Sequence, residues 1–203
     1  AESDLVVGNA LMNMYSKCHS LMMARKIFDG MQRRDVVSWT AMSSAYAQEG
    51  YQDVALQLFF QMQDEGVYPN NITFISILDA FGNQAALIEG HAIHAHIVET
   101  EPVEVDLEVG NAIVSLYGKC GCLEDAHRVF DRMPEKNVIT WTTMISSYSQ
   151  YGMGKKAYKL YQRMQGAGMK PNRVTLLSVL TACSHAGLIE EGCLCFHMMC
   201  HEH

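Results

Sequence analysis

The feature that most constrains the fold of this 203-residue chain is an internal repeat of about 102 residues. The segment GNALMNMYSKC from Gly8 returns as GNAIVSLYGKC from Gly110, and VVSWTAMSSAYAQEG from Val36 returns as VITWTTMISSYSQYG from Val138. About a third of all aligned positions are identical. Such self-similarity predicts stacked copies of a small structural unit rather than one globular core.

Each 102-residue block divides further into units of 31, 35 and 36 residues, and the order of lengths restarts at Leu107. Units of this size are typical of helical solenoids. We therefore expect residues 1–203 to form one solenoid domain. The predicted units, of which the last is incomplete, are 5–35, 36–70, 71–106, 107–137, 138–172 and 173–203.

Within a unit, the apolar pattern predicts two amphipathic helices. In the second unit, Trp39, Met42 and Tyr46 are spaced by three and four residues, which places them on one helical face. Gly50 ends this helix, and Gly66 stands at the end of the next. No strand pattern competes, so we expect an all-α fold, a right-handed superhelical solenoid of about six helix-turn-helix hairpins.

Composition excludes several classes of protein. The chain has 15 Lys and Arg against 22 Asp and Glu, a net charge of −7. This charge argues against a protein that holds nucleic acid mainly by charge, but not against one that reads bases. No apolar run approaches the roughly 18 residues of a membrane span, and we expect no membrane partner. The polar start lacks the pattern of a signal or transit peptide.

The unit lengths, with Trp39 and Trp141 at the fourth position of the 35-residue units, resemble pentatricopeptide repeats. The phrase LYGKCGCLEDAHRVFDRMPEKNVITWTTMISSYSQYG resembles their PLS subclass, found in land-plant organelle proteins, so the units run S, P, L, S, P, L. The resemblance implies an RNA-binding array from an RNA editing or processing factor of a chloroplast or mitochondrion. The alternative is a tetratricopeptide-like scaffold for protein partners, although that repeat keeps a length near 34 residues.

One helical repeat can read one exposed RNA base with two or three side chains. The resemblance implies that the fifth and last residues of each S and P unit do this. These residues, all small and able to hydrogen-bond, are Asn9 with Asp35, Thr40 with Asn70, Asn111 with Asn137, and Thr142 with Asn172. By the family's rules they imply single-stranded RNA of sequence 5′-U-A-N-C/U-A-N-3′.

The L units are expected to read weakly or not at all. They offer Ile75 with Asp106, and Leu177, and an aliphatic side chain neither donates nor accepts a hydrogen bond. In the family, L units are implicated in docking protein editing factors, which makes such proteins a second expected partner. The ends of the array lack polar caps, which indicates a piece of a longer array that self-associates through its ends.

Two further positions recur along the units. At the second position, the family sandwiches bases between aliphatic side chains, which are here Val6, Val37, Ile72, Ile139 and Val174. In the fourth unit this position is Glu108, which departs from the pattern. At the thirteenth position, Lys17 and Lys119 are candidates for contacts with RNA phosphates.

We expect no catalytic site, cofactor or metal in this chain. The related zinc deaminase domain needs H-x-E and C-x-x-C, and neither string occurs here. Cys193, His197 and His201 have the i, i+4 spacing that can bind zinc. However, Cys193, His197 and Cys200 are predicted to lie on the inward stripe of a helix. The histidines expected to form a polar helix face are His91, His94 and His96.

Overall fold

The computed structural model describes residues 2–100 and 106–202, with side chains for residues 4–100 and 106–199. Within these ranges the fold is entirely helical, which confirms the predicted fold class. Its twelve helices are α1 Glu2–Lys17, α2 Leu21–Gly30, α3 Val36–Gln48, α4 Gln52–Asp64, α5 Asn71–Asn83, α6 Leu87–Thr100, α7 Leu107–Lys119, α8 Leu123–Arg132, α9 Val138–Gln150, α10 Gly154–Gly166, α11 Arg173–Ala186 and α12 Ile189–Glu202.

Two compact units divide the chain after residue 102, and we call them the N-terminal half (α1–α6) and the C-terminal half (α7–α12). In the N-terminal half, α3 packs against α1 on one side and α5 on the other, and each of these helices packs on the helix that follows it. The first helices of the hairpins therefore form one layer. In the C-terminal half, α7, α9 and α11 form the corresponding layer.

A tryptophan at the start of α3 and of α9 is the centre of each core. Trp39 is fully buried and meets the Phe28 ring edge-on, with ring centroids 4.8 Å apart. Trp141 meets Phe130 in the same way at 4.9 Å. Each aromatic pair thus joins a first helix, α3 or α9, to the second helix of the preceding hairpin, α2 or α8. Such packing is expected because a single hairpin cannot bury its apolar face alone.

The two halves differ where a hairpin turns through the left-handed region. Gly121 and Gly187 have φ values of 79° and 66° in the C-terminal half. The matching residues 102 positions earlier are His19 and Ala85, with φ values of 55° and 53°. Because a side chain is strained at such φ values, the N-terminal half carries a local cost that the C-terminal half avoids.

Candidate nucleic-acid interface

The last residue of each S and P unit is the N-cap of the next first helix. The side-chain Oδ1 atoms of Asp35, Asn70, Asn137 and Asn172 accept hydrogen bonds from the backbone N–H three residues later. These bonds are 2.8–3.0 Å long. A backbone N–H can only donate, so this contact fixes which amide atom of each asparagine faces the helix.

A hydroxyl completes each cap, and sequence reasoning missed it. Ser38, Thr73, Thr140 and Thr175 are each fully buried and bond their own N-cap, forming a capping box. The signal was present as the spacing of Asn or Asp followed three residues later by Ser or Thr.

The fifth-position residues reach these same hydroxyls in three of the four S and P units. The Thr40 and Thr73 hydroxyl oxygens lie 2.7 Å apart, and those of Thr142 and Thr175 lie 2.6 Å apart. The Asn9 Oδ1 atom and the Ser38 hydroxyl oxygen lie 2.8 Å apart. In these three units, the predicted pair of fifth and last residues is therefore joined through a residue of the following unit.

The fourth unit is the exception. The Asn111 Oδ1 atom is buried and has no hydrogen-bond partner among the described residues. Thr140, which occupies the place of the other bridging hydroxyls, bonds to Asn137 and to no other side chain in the described part of the chain. The second S unit thus has the cap but lacks the link to its fifth-position residue.

Each half has a groove whose wall includes predicted base-reading, sandwiching and phosphate-contacting residues, but Asp35, Asn111, Asn137 and Val6 are not among the wall residues of either groove. The N-terminal groove is a cavity of about 430 Å³, and its wall includes Asn9, Lys17, Val37, Thr40, Gln48, Asn70, Ile72 and Asp79. The C-terminal groove has about 390 Å³, and its wall includes Lys119, Ile139, Thr142, Gln150, Asn172 and Val174. Each residue named for the C-terminal groove lies 102 positions after one named for the N-terminal groove, whereas the counterparts of Asn9 and Asp79 are not among the wall residues of the C-terminal groove.

Beside the polar pairs, five of the six first helices carry an exposed aliphatic side chain at the same position. The five predicted sandwiching residues, Val6, Val37, Ile72, Ile139 and Val174, are 54–69% exposed. Single exposed apolar residues are ordinary, but this one recurs at the same place in five units. Glu108, the departure from the pattern, is also exposed. Within each half, these side chains give neighbouring first helices an exposed apolar surface, which we call the aliphatic shelf of that half.

The fifth and last residues of the L units differ from the polar pairs of the S and P units. Ile75 is half-buried in α5, and Leu177 is 62% exposed on α11. Asp106 is the N-cap of α7 and accepts a hydrogen bond of 2.8 Å from the backbone N–H of Glu108. Among the described residues, these positions therefore lack the paired polar groups of the S and P units.

The carboxylate of Asp35 is held in its charged form. Burial raises its pKa, but hydrogen bonds from the Ser38 N–H, the Ser38 hydroxyl and the Asn9 amide outweigh burial, so the pKa lies below its ordinary value. These bonds use Oδ1. Asp35 therefore presents an acceptor, whereas an asparagine at the same place retains an amide donor.

Formal charge is distributed unequally between the halves. Residues 1–102 contain 12 Asp and Glu against five Lys and Arg, so they carry all of the −7, whereas residues 103–203 contain ten of each. Asp79 adds a carboxylate to the N-terminal groove, and the matching residue in the other half is Thr181. Phosphate contact is thus less favourable in the N-terminal groove.

Two expectations about the histidines and cysteines were wrong. His96 does not lie on a polar face, because its ring packs edge-on against Phe59 at 5.4 Å. In α12, Cys195 is the buried cysteine, whereas Cys193 and His197 are exposed. This helix turns Cys195 toward the hairpin before it, where burial raises the thiol pKa to about 11.

The side chains of Cys200 and His201, which completed the predicted tail cluster, lie outside the described residues. In the described part of the chain, no group of three or more His, Cys, Asp or Glu residues is placed to hold a metal ion. No helix there has the length and apolar character needed to cross a membrane.

Comparison with known proteins identifies the repeat. The PPR repeat family model matches residues 34–83 and 136–185, and the PPR repeat model matches residues 9–36, 111–138 and 174–202. A mitochondrial pentatricopeptide repeat-containing protein of Arabidopsis thaliana is 43% identical over 98% of this chain and 31% of its own length. The chloroplastic protein CRR2 of the same plant is 41% identical over 99% of this chain and 31% of its own length.

The fold is also found in a solved structure. The pentatricopeptide repeat protein PPR10 from maize, in complex with an 18-nucleotide psaJ RNA element, superposes with a TM-score of 0.73 at 24% identity. The match covers 94% of this chain and 29% of that one. This chain spans about a third of the length of the curated relatives that it matches. Because the two family models together cover most of its residues, the chain belongs to the pentatricopeptide repeat family.

Proposed function

We propose that this chain binds single-stranded RNA and that each S and P unit reads one base, with the implied site 5′-U-A-N-C/U-A-N-3′. The observation that carries the proposal is the capping geometry of the last residue in each unit. Because Oδ1 is committed to the helix, the polarity that remains for a base is fixed as donor or acceptor. PPR10, with the same fold, was crystallised with an RNA element.

The asparagine units are suited to bases that accept a hydrogen bond on the Watson–Crick edge. The capping bonds of Asn70 and Asn172 use Oδ1, which leaves their amide Nδ2 groups for a ligand in the groove. Adenine N1 and cytosine N3 are acceptors, whereas uracil N3 and guanine N1 carry protons. The donor at these positions therefore favours adenine or cytosine.

Asp35 has the opposite preference. Its lowered pKa keeps it an ionised acceptor at neutral pH. A protonated ring nitrogen such as uracil N3–H satisfies this group, whereas adenine N1 and cytosine N3 leave it unpaired. The first base is therefore expected to be uracil. The difference between Asp35 and Asn70 explains why the first and second units are expected to prefer different bases.

Stacking and charge set the strength of binding. In every unit except the fourth, which has Glu108, the aliphatic shelf gives the base an apolar contact on its face. With only Lys17 and Lys119 proposed as phosphate contacts, few counterions are released, so affinity depends weakly on salt. Base contacts contribute about 1–3 kcal/mol of discrimination each, which gives a selective interaction of modest strength.

In the longer parent, we propose that this segment is the recognition part of an RNA editing or processing factor of a chloroplast or mitochondrion. The names of the relatives place one in each organelle. The L units, 71–106 and 173–203, are proposed to dock protein editing factors. No catalytic step is assigned to the residues of this chain.

Selection of the 203-residue chain against a randomised RNA pool tests the proposal. We expect enrichment of U, A, a pyrimidine and A at the first, second, fourth and fifth bases, with no preference at the third and sixth. Thr40→Ala should abolish the preference at the second base alone. Gln57→Ala, an exposed change on α4, is the matched control and should leave all preferences intact. A pool without enrichment overturns the proposal and favours a scaffold for protein partners.

A further inference from the structure

A buried hydroxyl connects the two reading residues of both P units. In the first P unit, the Thr73 hydroxyl lies 3.0 Å from Asn70 Oδ1 and 2.7 Å from the Thr40 hydroxyl. In the second, the Thr175 hydroxyl lies 2.9 Å from Asn172 Oδ1 and 2.6 Å from Thr142. Thr73 and Thr175 are fully buried, so water does not compete for these contacts.

Proton counting fixes the direction of this chain of hydrogen bonds. A hydroxyl has one proton, and an amide oxygen has none, so Thr73 must donate in its bond to Asn70 Oδ1. The short contact between Thr40 and Thr73 must then use the proton of Thr40. The Thr40 oxygen keeps its lone pairs for the groove, and the hydroxyl proton points away from it.

We infer that Thr73 and Thr175 are positioning residues that orient the fifth-position threonine as a hydrogen-bond acceptor toward the base. The inference rests on the proposed function and adds a residue, from the following unit, to the reading pair. Each P unit then presents an acceptor, Thr40 or Thr142, beside the amide donor of Asn70 or Asn172. Adenine matches this order with its N6 amino group and N1, whereas guanine O6 and N1–H oppose it at both points.

The second S unit separates this role from ordinary helix capping. Thr140 makes the same capping bonds to Asn137, but no described contact joins it to Asn111, whose Oδ1 has no partner. Loss of the Thr140 hydroxyl therefore removes a cap bond only. Loss of the Thr73 hydroxyl removes a cap bond and also releases the proton of Thr40.

The test compares Thr73→Val and Thr140→Val in the 203-residue chain. Dissociation constants are measured by fluorescence anisotropy for RNAs that carry A or G at the second base, and C or G at the fourth. Thr73→Val should lower the A over G preference at the second base about fivefold, the range of one hydrogen bond. Thr140→Val should leave the preference at the fourth base within about twofold, and Thr73→Ser should restore the wild-type ratio.

The controls distinguish failure of this inference from failure of the proposed function. If the wild-type chain does not prefer A over G at the second base, the proposed function is wrong at that unit. If it does and Thr73→Val keeps the same ratio, the inferred positioning role of Thr73 is overturned. If Thr73→Val and Thr140→Val lose base preference to the same extent, the effect comes from the helix cap, and the positioning role of Thr73 is again overturned. Circular-dichroism melts check folding, and Thr175→Val with the fifth base repeats the test.

Discussion

The two halves of the chain carry matching positions for the proposed base contacts, but they differ in charge and in the backbone of their hairpin turns. Both have a Trp–Phe core pair, capped first helices and a groove lined by matching residues. Yet residues 1–102 carry the entire −7 and residues 103–203 have no net charge. Helix α4 has Asp53 and Asp64 without a basic residue, whereas its counterpart α10 has four basic residues and no acid. The fold thus depends on the caps and the aromatic pairs, and it tolerates wide variation in charge.

The largest effect is expected from variants that remove one aromatic pair at a time. Phe28→Ala should lower the free energy of unfolding of the N-terminal half by about 4 kcal/mol, because it leaves a cavity beside a fully buried tryptophan. Each half has a single tryptophan, so Trp39 and Trp141 fluorescence report the halves separately in Trp141→Phe and Trp39→Phe backgrounds. Phe130→Ala is the matched change in the C-terminal half. Equal shifts of both signals in urea would show that the halves unfold as one.

The next-largest effect is expected from exchanging the last residues of the two S units, Asp35 and Asn137. Asp35→Asn gives the first unit the same pair as the fourth, and its first base should change from uracil toward cytosine by about 1–3 kcal/mol. Asparagine caps a helix as well as aspartate, so stability should change little. Binding to RNAs with U or C at the first base measures the change. Asn137→Asp should act in the opposite direction at the fourth base, and an unchanged preference in both variants would contradict the assigned roles.

A smaller effect exchanges the left-handed residues of the hairpin turns. Ala85→Gly should raise the free energy of unfolding by about 1 kcal/mol, because glycine removes the strain of a side chain at positive φ. Gly187→Ala should lower it by a similar amount, since no neighbouring atom lies within 4 Å of the added Cβ and only the backbone conformation opposes it. Thermal melts of the two variants measure both changes. Shifts in the same direction would contradict the strain argument.

The smallest effect is the pH dependence that Asp35 adds to the stability of the N-terminal half. The folded-state pKa of Asp35 lies below its ordinary value. The stabilisation is therefore present above the unfolded-state pKa, about 3.9, and is lost as pH falls through the folded-state value. Urea titrations between pH 7 and 3 should show a steeper acid loss in wild type than in Asp35→Asn. Asn137, the matching cap, does not titrate and contributes no such slope.

Much of the fold followed from the sequence because every unit repeats the same local signals. The helical stripe of Trp39, Met42 and Tyr46, closed by Gly50, was sufficient to predict α3. The bridging role of Thr73 was not predicted, because it depends on a contact with Thr40 of the preceding unit. The face of α12 was predicted wrongly, since small and apolar residues lie on several sides of that helix and the pattern alone does not fix its rotation.

The N-cap geometry also limits how this protein can be retuned. A residue that ends one unit and begins the helix of the next must satisfy a backbone N–H before it can address a ligand. Of the side chains that cap well, Asn and Asp are nearly identical in shape and differ in whether they offer a donor or an acceptor. Replacing this residue with one that does not cap a helix would also destabilise the helix that follows. Few residue types are therefore usable at the end of each unit, because each of them must also cap the following helix.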